Sequence, residues 1–372
     1  MRRILSLLAV AWVGGVTPVR AQLNDLDNVH RDSVAGRVFY EQRLDRNPLV
    51  GLLQLREALP TRDERDYIPL MQGIPVGSYR PQESGIAFRA LTQPERKEYH
   101  RRHPLNPLTY RFDFRIHPEF IANFGNFRNP VESRTSVYLQ SQLYLWRGMV
   151  FNYGLQFPLA NDLDGRPKII RFSPLYLNQF LAFAGHHFLS LSAGTFYSDR
   201  YGLNAQYQRM NLDGRWTYGL ETGLTGFYYY PRGGVYYEPP RELLLLANVA
   251  YRWPALDLTM KLSGGQYLAR DRGGRVDMVR QFTNVEIGLY ATKTGNGATL
   301  GFNLAVPIPP GKIAQGDRVR LRTSEEFRWE YTYTRGYNIG ERYRLGYQLD
   351  ERLRQYHRSY LNNQWQRLQQ TR

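Results

Sequence analysis

From Leu108 to Tyr333 the chain repeats one pattern: stretches of about ten residues in which apolar and polar side chains alternate, the length of a tilted membrane-crossing strand. The clearest is Leu256-Asp257-Leu258-Thr259-Met260-Lys261-Leu262-Ser263. Successive side chains of a strand point to opposite faces, so such a stretch has one greasy face and one wet face. A chain built of many two-faced strands needs two environments at once. A closed barrel with lipid outside and water inside supplies them. The fold expected is therefore all-β, a transmembrane antiparallel β-barrel of roughly 12–14 strands, occupying residues 105–340. It opens with Tyr110-Arg111-Phe112-Asp113-Phe114-Arg115-Ile116. Further strands are expected near 136–146, 149–158, 175–183, 187–197, 201–210, 215–228, 242–253, 256–266, 274–283, 284–294, 298–307 and 324–334. Turn signals separate many of them: Asp164-Gly165, Asp213-Gly214, Gly233-Gly234, Gly273-Gly274 and Asn296-Gly297. Tight connections such as Asn211-Leu212-Asp213-Gly214 and Trp253-Pro254 contrast with long ones at 230–240 and 307–312, the inequality expected of outer-membrane barrels.

The ends read differently. Residues 1–21 have a basic head, the apolar run Ile4–Val13 and Val19-Arg20-Ala21 before Gln22, which reads as a secretory signal peptide. No window offers the ~20 apolar residues of a spanning helix. Residues 22–104 form a polar N-terminal segment. Charge clusters there (Arg62-Asp63-Glu64-Arg65-Asp66; Glu95 to His103) are expected to be solvated loop or short helix, with a strand at Gly85–Leu91. In the tail, residues 341–372, Leu349, Leu353, Tyr356 and Tyr360 recur at helical spacing and predict an amphipathic helix.

Composition narrows the partners. The chain lacks cysteine, so no disulfide framework holds it. Its 28 tyrosines suit aromatic girdles at a membrane interface. The net charge of +16 favours acidic partners: lipid phosphates or an acidic polysaccharide. An export signal argues against nucleic acid.

Searches for chemistry come back weak. The seven histidines form no convincing metal-ligand spacing with acids. Asp162-Leu163-Asp164-Gly165 lacks the later acidic ligand of a calcium loop. Gly295-Asn296-Gly297-Ala298-Thr299-Leu300-Gly301 has the wrong glycine spacing for a dinucleotide site. His187 with Ser190 or Ser192 is the nearest approach to a hydrolase pair, and nothing in the sequence joins them. No catalytic, cofactor-binding or metal residue is assigned, and the chain is not expected to be an enzyme. Alternation instead nominates a lumen-facing polar set: Asn152, Gln156, Asn204, Gln206, Glu221, Asp257, Lys261, Glu286 and Tyr290. Such groups could hydrogen-bond a sugar chain, or equally form a satisfied interior that closes the barrel.

The stretch Leu189–Pro310 resembles the YjbH family of outer-membrane exopolysaccharide-biosynthesis proteins. The likeness rests on Ala193-Gly194-Thr195-Phe196 with Asp199-Arg200-Tyr201-Gly202-Leu203-Asn204, then on Gly264 through Gly274, then on Val279 through Thr294, in that order. It implies an outer-membrane barrel of a Gram-negative bacterium that assists export or assembly of an extracellular polysaccharide or capsule. Outer-membrane lipid, an acidic polysaccharide and other polysaccharide-export proteins are the partners expected. The alternatives are a porin-like or structural barrel with no glycan role, a soluble periplasmic sugar-binding β-sandwich, and an outer-membrane enzyme.

Overall fold

A computed structural model describes residues 25–32, 35–59, 65–105, 112–124, 131–163, 167–231, 233–334, 338–346 and 348–370. The expected signal peptide, the turn at Asp164-Gly165 and the charges Arg62, Asp63 and Glu64 lie outside these residues.

Residues 26–102 pack into a small unit, where the sequence reading expected solvated polar chain. Its strands are β1 (Leu26–Asp32), β2 (Arg37–Gln42), β3 (Asp66–Met71), β4 (Ile74–Pro75), β5 (Ser78–Gln82) and β6 (Gly85–Arg89). They form one sheet in the order β1-β2-β3-β5-β6, with β4 paired to β3 and a parallel β2–β3 pair. Helix α1 (Pro48–Ala58) starts where Asn47 accepts a hydrogen bond from the Leu49 N–H and Pro48 occupies the first turn. It buries Leu49, Leu52 and Leu55. Helix α2 (Gln93–Arg102) opens with a capping box between Thr92 and Glu95, so this charge run is the short helix its composition allows.

The large sheet is the succession of two-faced strands. It comprises β7 (Phe112–Phe124), β8 (Val131–Trp146), β9 (Met149–Asn161), β10 (Arg171–Phe183), β11 (His187–Thr195), β12 (Arg200–Met210), β13 (Trp216–Tyr229), β14 (Tyr236–Tyr237), β15 (Glu242–Trp253), β16 (Leu258–Gln266), β17 (Arg272–Gln281), β18 (Glu286–Thr294), β19 (Gly297–Val306), β20 (Lys312–Gln315), β21 (Val319–Thr323) and β22 (Phe327–Thr334). Among the described residues sixteen strands pair in this sheet, and setting aside short β14, β20 and β21 leaves 13 long ones, each at an expected position. Most neighbours are antiparallel and consecutive, as short turns between alternating strands dictate. Gly273-Gly274 is a correction: it is no turn but the start of β17, opposite Gly265 and Gly264. The turn lies just before it, around Leu268–Arg270.

The large sheet does not close on itself by a continuous hydrogen-bonded ladder among the described residues. The first half of β7 pairs instead in parallel with β21. The second half lies beside β22, with the Phe120 and Trp329 rings 6.2 Å apart. Between these halves the Ser324 N–H donates to the Ile116 carbonyl at 2.9 Å.

The tail is two helices, not one: α3 (Leu349–Gln355) and α4 (Arg358–Gln370), broken where the Arg358 N–H donates to the Leu212 carbonyl at 2.7 Å. Leu349, Leu353, Tyr356 and Tyr360 are all buried, as their spacing required. They share one apolar core with α1, with Tyr40, Tyr79 and Ile86 of the small sheet, and with Phe180, Phe188, Met210 and Leu212 at one end of the large sheet. The first and last parts of the chain thus cap that end together.

Candidate functional site

The large sheet exposes apolar side chains on one face and buries polar ones on the other. On β18 the burial alternates without a break: Glu286, Gly288, Tyr290, Thr292 and Thr294 are buried, and Ile287, Leu289, Ala291 and Lys293 are exposed. The same holds around the sheet, where Leu203 is 60% exposed, Leu262 52%, Leu289 59% and Leu300 61%. The buried wall is polar. Asn152, Gln156, Asn204, Gln206, Glu221, Asp257, Glu286 and Tyr290 are all buried, and Lys261 is largely so. Eight of the nine polar residues nominated by alternation are strand residues on this wall. Asp257 differs in one respect. It precedes β16, in the β15–β16 turn, with a left-handed backbone (φ 49°).

These side chains face protein, not an open lumen. Beyond β22, the described residues from Asn338 onward lie along the buried polar wall from one end of the strands to the other. At one end the Asn338 carbonyl accepts from Asn296 and the Gly340 N–H donates to Asp271 at 2.9 Å. Further in, Asn204 donates to the Tyr343 hydroxyl at 2.8 Å, and the Tyr176 hydroxyl donates to the Leu345 carbonyl at 2.7 Å. Arg342 pairs with Glu221, and Gln206 binds both the Gln348 side chain and the Leu349 N–H. Lys261 meets Asp350 at 2.7 Å. At the other end Asp257 accepts from Arg252 at 2.8 Å, Ser359 at 3.0 Å and Asn363 at 2.9 Å. Residues 338–346 and 348–359 thus form an internal strap. Asn152 and Gln156 are satisfied within the wall, by Gln142 and by Ser136 and Arg171.

Two ion clusters lock the cap onto the sheet. Glu286 is reached by Arg354 of α3 at 2.8 Å, Arg328 of β22 at 2.9 Å and Arg46, just before α1, at 3.1 Å. At the seam Asp113 of β7 holds Arg43 at 2.7 Å, Arg320 at 2.8 Å and Arg322 at 3.1 Å, while Asp27 of β1 takes Arg320 at 3.3 Å. Each removes several charges from water together, which only dense mutual pairing makes tolerable. The sequence reading missed Arg43, Arg46, Asp27 and Asp113. Their one signal was an unusual load of arginine and acid inside strands and beside an apolar helix.

Between cap and sheet lies a narrow cleft, partly open to solvent, whose walls carry the amides of Gln42, Gln72, Gln142, Gln348 and Gln355, the Tyr144 phenol, and charges of both signs, among them Arg43, Arg46, Arg322, Glu325 and Glu351. Burial pushes the nearby carboxyls of Glu41 and Asp45 up from their ordinary values, although Arg43 and Gln42, respectively, pull the other way.

Hydrolase chemistry gains no geometry. Ser190 and Ser192 both accept from Asn178, at 2.8 and 2.9 Å, and His187 contacts the Tyr207 hydroxyl at 2.6 Å. No grouping of three metal-ligating side chains occurs among the described residues.

Comparison with known proteins gives one match. The family model YjbH, described as "Exopolysaccharide biosynthesis protein YbjH", matches residues 78–303. No curated protein and no solved structure matches.

Proposed function

The chain belongs to the YjbH family of exopolysaccharide biosynthesis proteins, and on that premise we propose that it is an outer-membrane β-barrel assisting export or assembly of an extracellular polysaccharide, as a filled platform and not as an open conduit. The observation that carries the membrane part is the exposed apolar face of the large sheet over a buried polar wall. A soluble sandwich would bury the apolar face instead. On β17 the outward residues run Arg272, Gly274, Val276, Met278, Arg280. Eight residues separate the two arginines, about 27 Å along a strand and about 21 Å of height at a tilt near 40°, close to the ~25 Å apolar band of outer-membrane barrels. Trp146, Trp216 and Trp253 are exposed at the capped ends of their strands, in keeping with an interfacial girdle.

The platform part follows from the strap. A glycan cannot pass through a hollow already crossed by it, so contact with polymer or with other export proteins falls to the rims and to the cap, whose polar cleft offers hydrogen-bonding groups. The role is binding and positioning, with no bond-breaking step assigned. The experiment is fractionation of cells producing the chain, with gel mobility compared before and after heating, beside a surface-polysaccharide assay of the deletion strain. Recovery in the outer membrane, a heat-shifted band and altered surface polymer are expected. A freely soluble protein would reject the barrel, and unchanged polymer would reject the glycan role.

A further inference from the structure

Outward-facing charge gathers at one corner of the apolar band. Arg270 and Arg272 are exposed where β16 turns into β17, Lys293 is exposed on neighbouring β18, and Arg241 is exposed one residue ahead of β15. Lys293 lies opposite Gly274 on one side and Ala298 on the other, so its flanking residues are small. Arg272 is two residues from Gly274 on the same face, which sets it diagonal to Lys293 at about 7–8 Å. Among the described residues none of the four has an ion pair or a side-chain hydrogen bond. The inner arginines of wall and strap, by contrast, are paired: Arg275 with Asp277, Arg328 with Glu286, Arg342 with Glu221. Of the carboxylates beside them, Asp271 is buried and turned inward, where it accepts the N–H groups of Asn296 and Gly340, and Glu242, next to Arg241, is held by Arg200 at 2.7 Å. Neither neutralises the group. Along the same outward face follow Val276, Met278, Leu262 and Leu289, all more than 40% exposed.

We propose that Arg241, Arg270, Arg272 and Lys293 bind the phosphate groups of an anionic lipid whose acyl chains lie against the apolar residues beside them. The inference rests on the membrane reading above. Position favours lipid over a soluble polyanion: the cations stand beside the apolar band, on the same sheet face, where a headgroup would sit once the chains are in place. Guanidinium groups also match phosphate oxygens in pairs.

The test uses the full chain inserted into vesicles of phosphatidylcholine, alone or doped with phosphatidylglycerol. Retained lipid is counted by native mass spectrometry, and binding of soluble polygalacturonate is measured in parallel. Selective retention of phosphatidylglycerol, weakening with salt, is expected. The fourfold variant Arg241→Gln, Arg270→Gln, Arg272→Gln, Lys293→Gln should lose it, by about fivefold per cation if each contributes the ~1 kcal/mol of a basic residue near an anionic surface. The pair Arg209→Gln, Arg280→Gln, at the other end of the strands, should retain it. Equal retention by the fourfold variant overturns the proposal. So does polygalacturonate binding that depends on the four cations while lipid selectivity is absent. Failure to enter any vesicle overturns the membrane reading as well, whereas insertion without anionic preference overturns this inference alone.

Discussion

Replacing Glu286 with glutamine removes one charge and keeps the side chain's shape. The residue is 0% exposed. With Glu326 and Glu351 it makes three carboxylates against the three guanidiniums of Arg46, Arg328 and Arg354. After Glu286→Gln, Arg46 keeps Glu326 at 2.6 Å, and Arg328 keeps Glu326 at 3.0 Å and Glu351 at 3.4 Å. Arg354 has Glu286 as its one ion-pair partner among the described residues. Removing one member of a buried pair costs about 3–5 kcal/mol, and the surviving partners put this case near the lower end, about 3 kcal/mol. The cost falls on docking, because the three arginines belong to the cap, the seam strand and α3. Guanidinium unfolding in detergent, read beside protease clipping after residue 338, measures both. The tail should become clippable at a lower denaturant concentration than the sheet melts. Glu326→Gln should cost less than Glu286→Gln, because Arg46 and Arg328 both keep Glu286. A Glu286→Gln protein within about 0.5 kcal/mol of the parent, the range of an ordinary surface change, would refute the reasoning. So would loss of sheet and tail in one step at an unchanged midpoint.

Three further outcomes are expected. Lys261→Met alone, and Asp350→Leu alone, should each destabilise by a little less than the ~3 kcal/mol of a fully buried pair, while the double variant recovers most of the loss; additive losses in the same unfolding assay would count against a direct pair. His357 is buried, and burial with help from Arg252 pushes its pKa down to about 3. Its Nε2–H donates to the Gly214 carbonyl at 2.8 Å and its Nδ1 accepts the Ser359 N–H at 3.2 Å. The unfolded chain therefore binds the proton first. Stability is full above about pH 6.5 and falls as the pH drops toward 3, at up to ~1.4 kcal/mol per pH unit. Hydrogen exchange of α3 and α4 should show this slope and His357→Gln should flatten it, so an unchanged slope would remove His357 as its source. Gly202 has φ 145° and a side chain there would run into the Leu224 carbonyl. Gly202→Ala should cut the yield of refolded protein sharply, while Gly234→Ala, with nothing within 4 Å, should not; equal yields would contradict the close strand approach.

The long strands were legible because their two faces meet different surroundings, and that difference is written residue by residue as alternation. Residues 26–102 hid for the opposite reason. All six residues of β3, Asp66–Met71, are buried, so no period appears. Three of its charges, Asp27, Arg43 and Arg46, are buried partners of the large sheet, which a charge count assigns to water. Gly273 misled because two glycines in a row usually mark a turn. Here they allow close backbone approach, since a side chain at Gly273 would strike the Lys293 carbonyl. The break between α3 and α4 depends on Leu212, about 146 positions away in sequence, and no local pattern carries it.

What fills the hollow was illegible for a deeper reason. Alternation reports which way a side chain points, not what it meets. Glu221, Lys261 and Glu286 would alternate identically around water, around a sugar chain or around Arg342, Asp350 and Arg354, which they do meet. The distinction has a physical consequence. Charges facing water would be screened and individually replaceable, with single changes near neutral. Charges facing the strap are shielded from solvent and mutually dependent, so single changes cost far more than paired ones. A polar inner wall is therefore weak evidence for a conduit. The test that separates conduit from filled platform is whether opposite charges on wall and strap must be removed together.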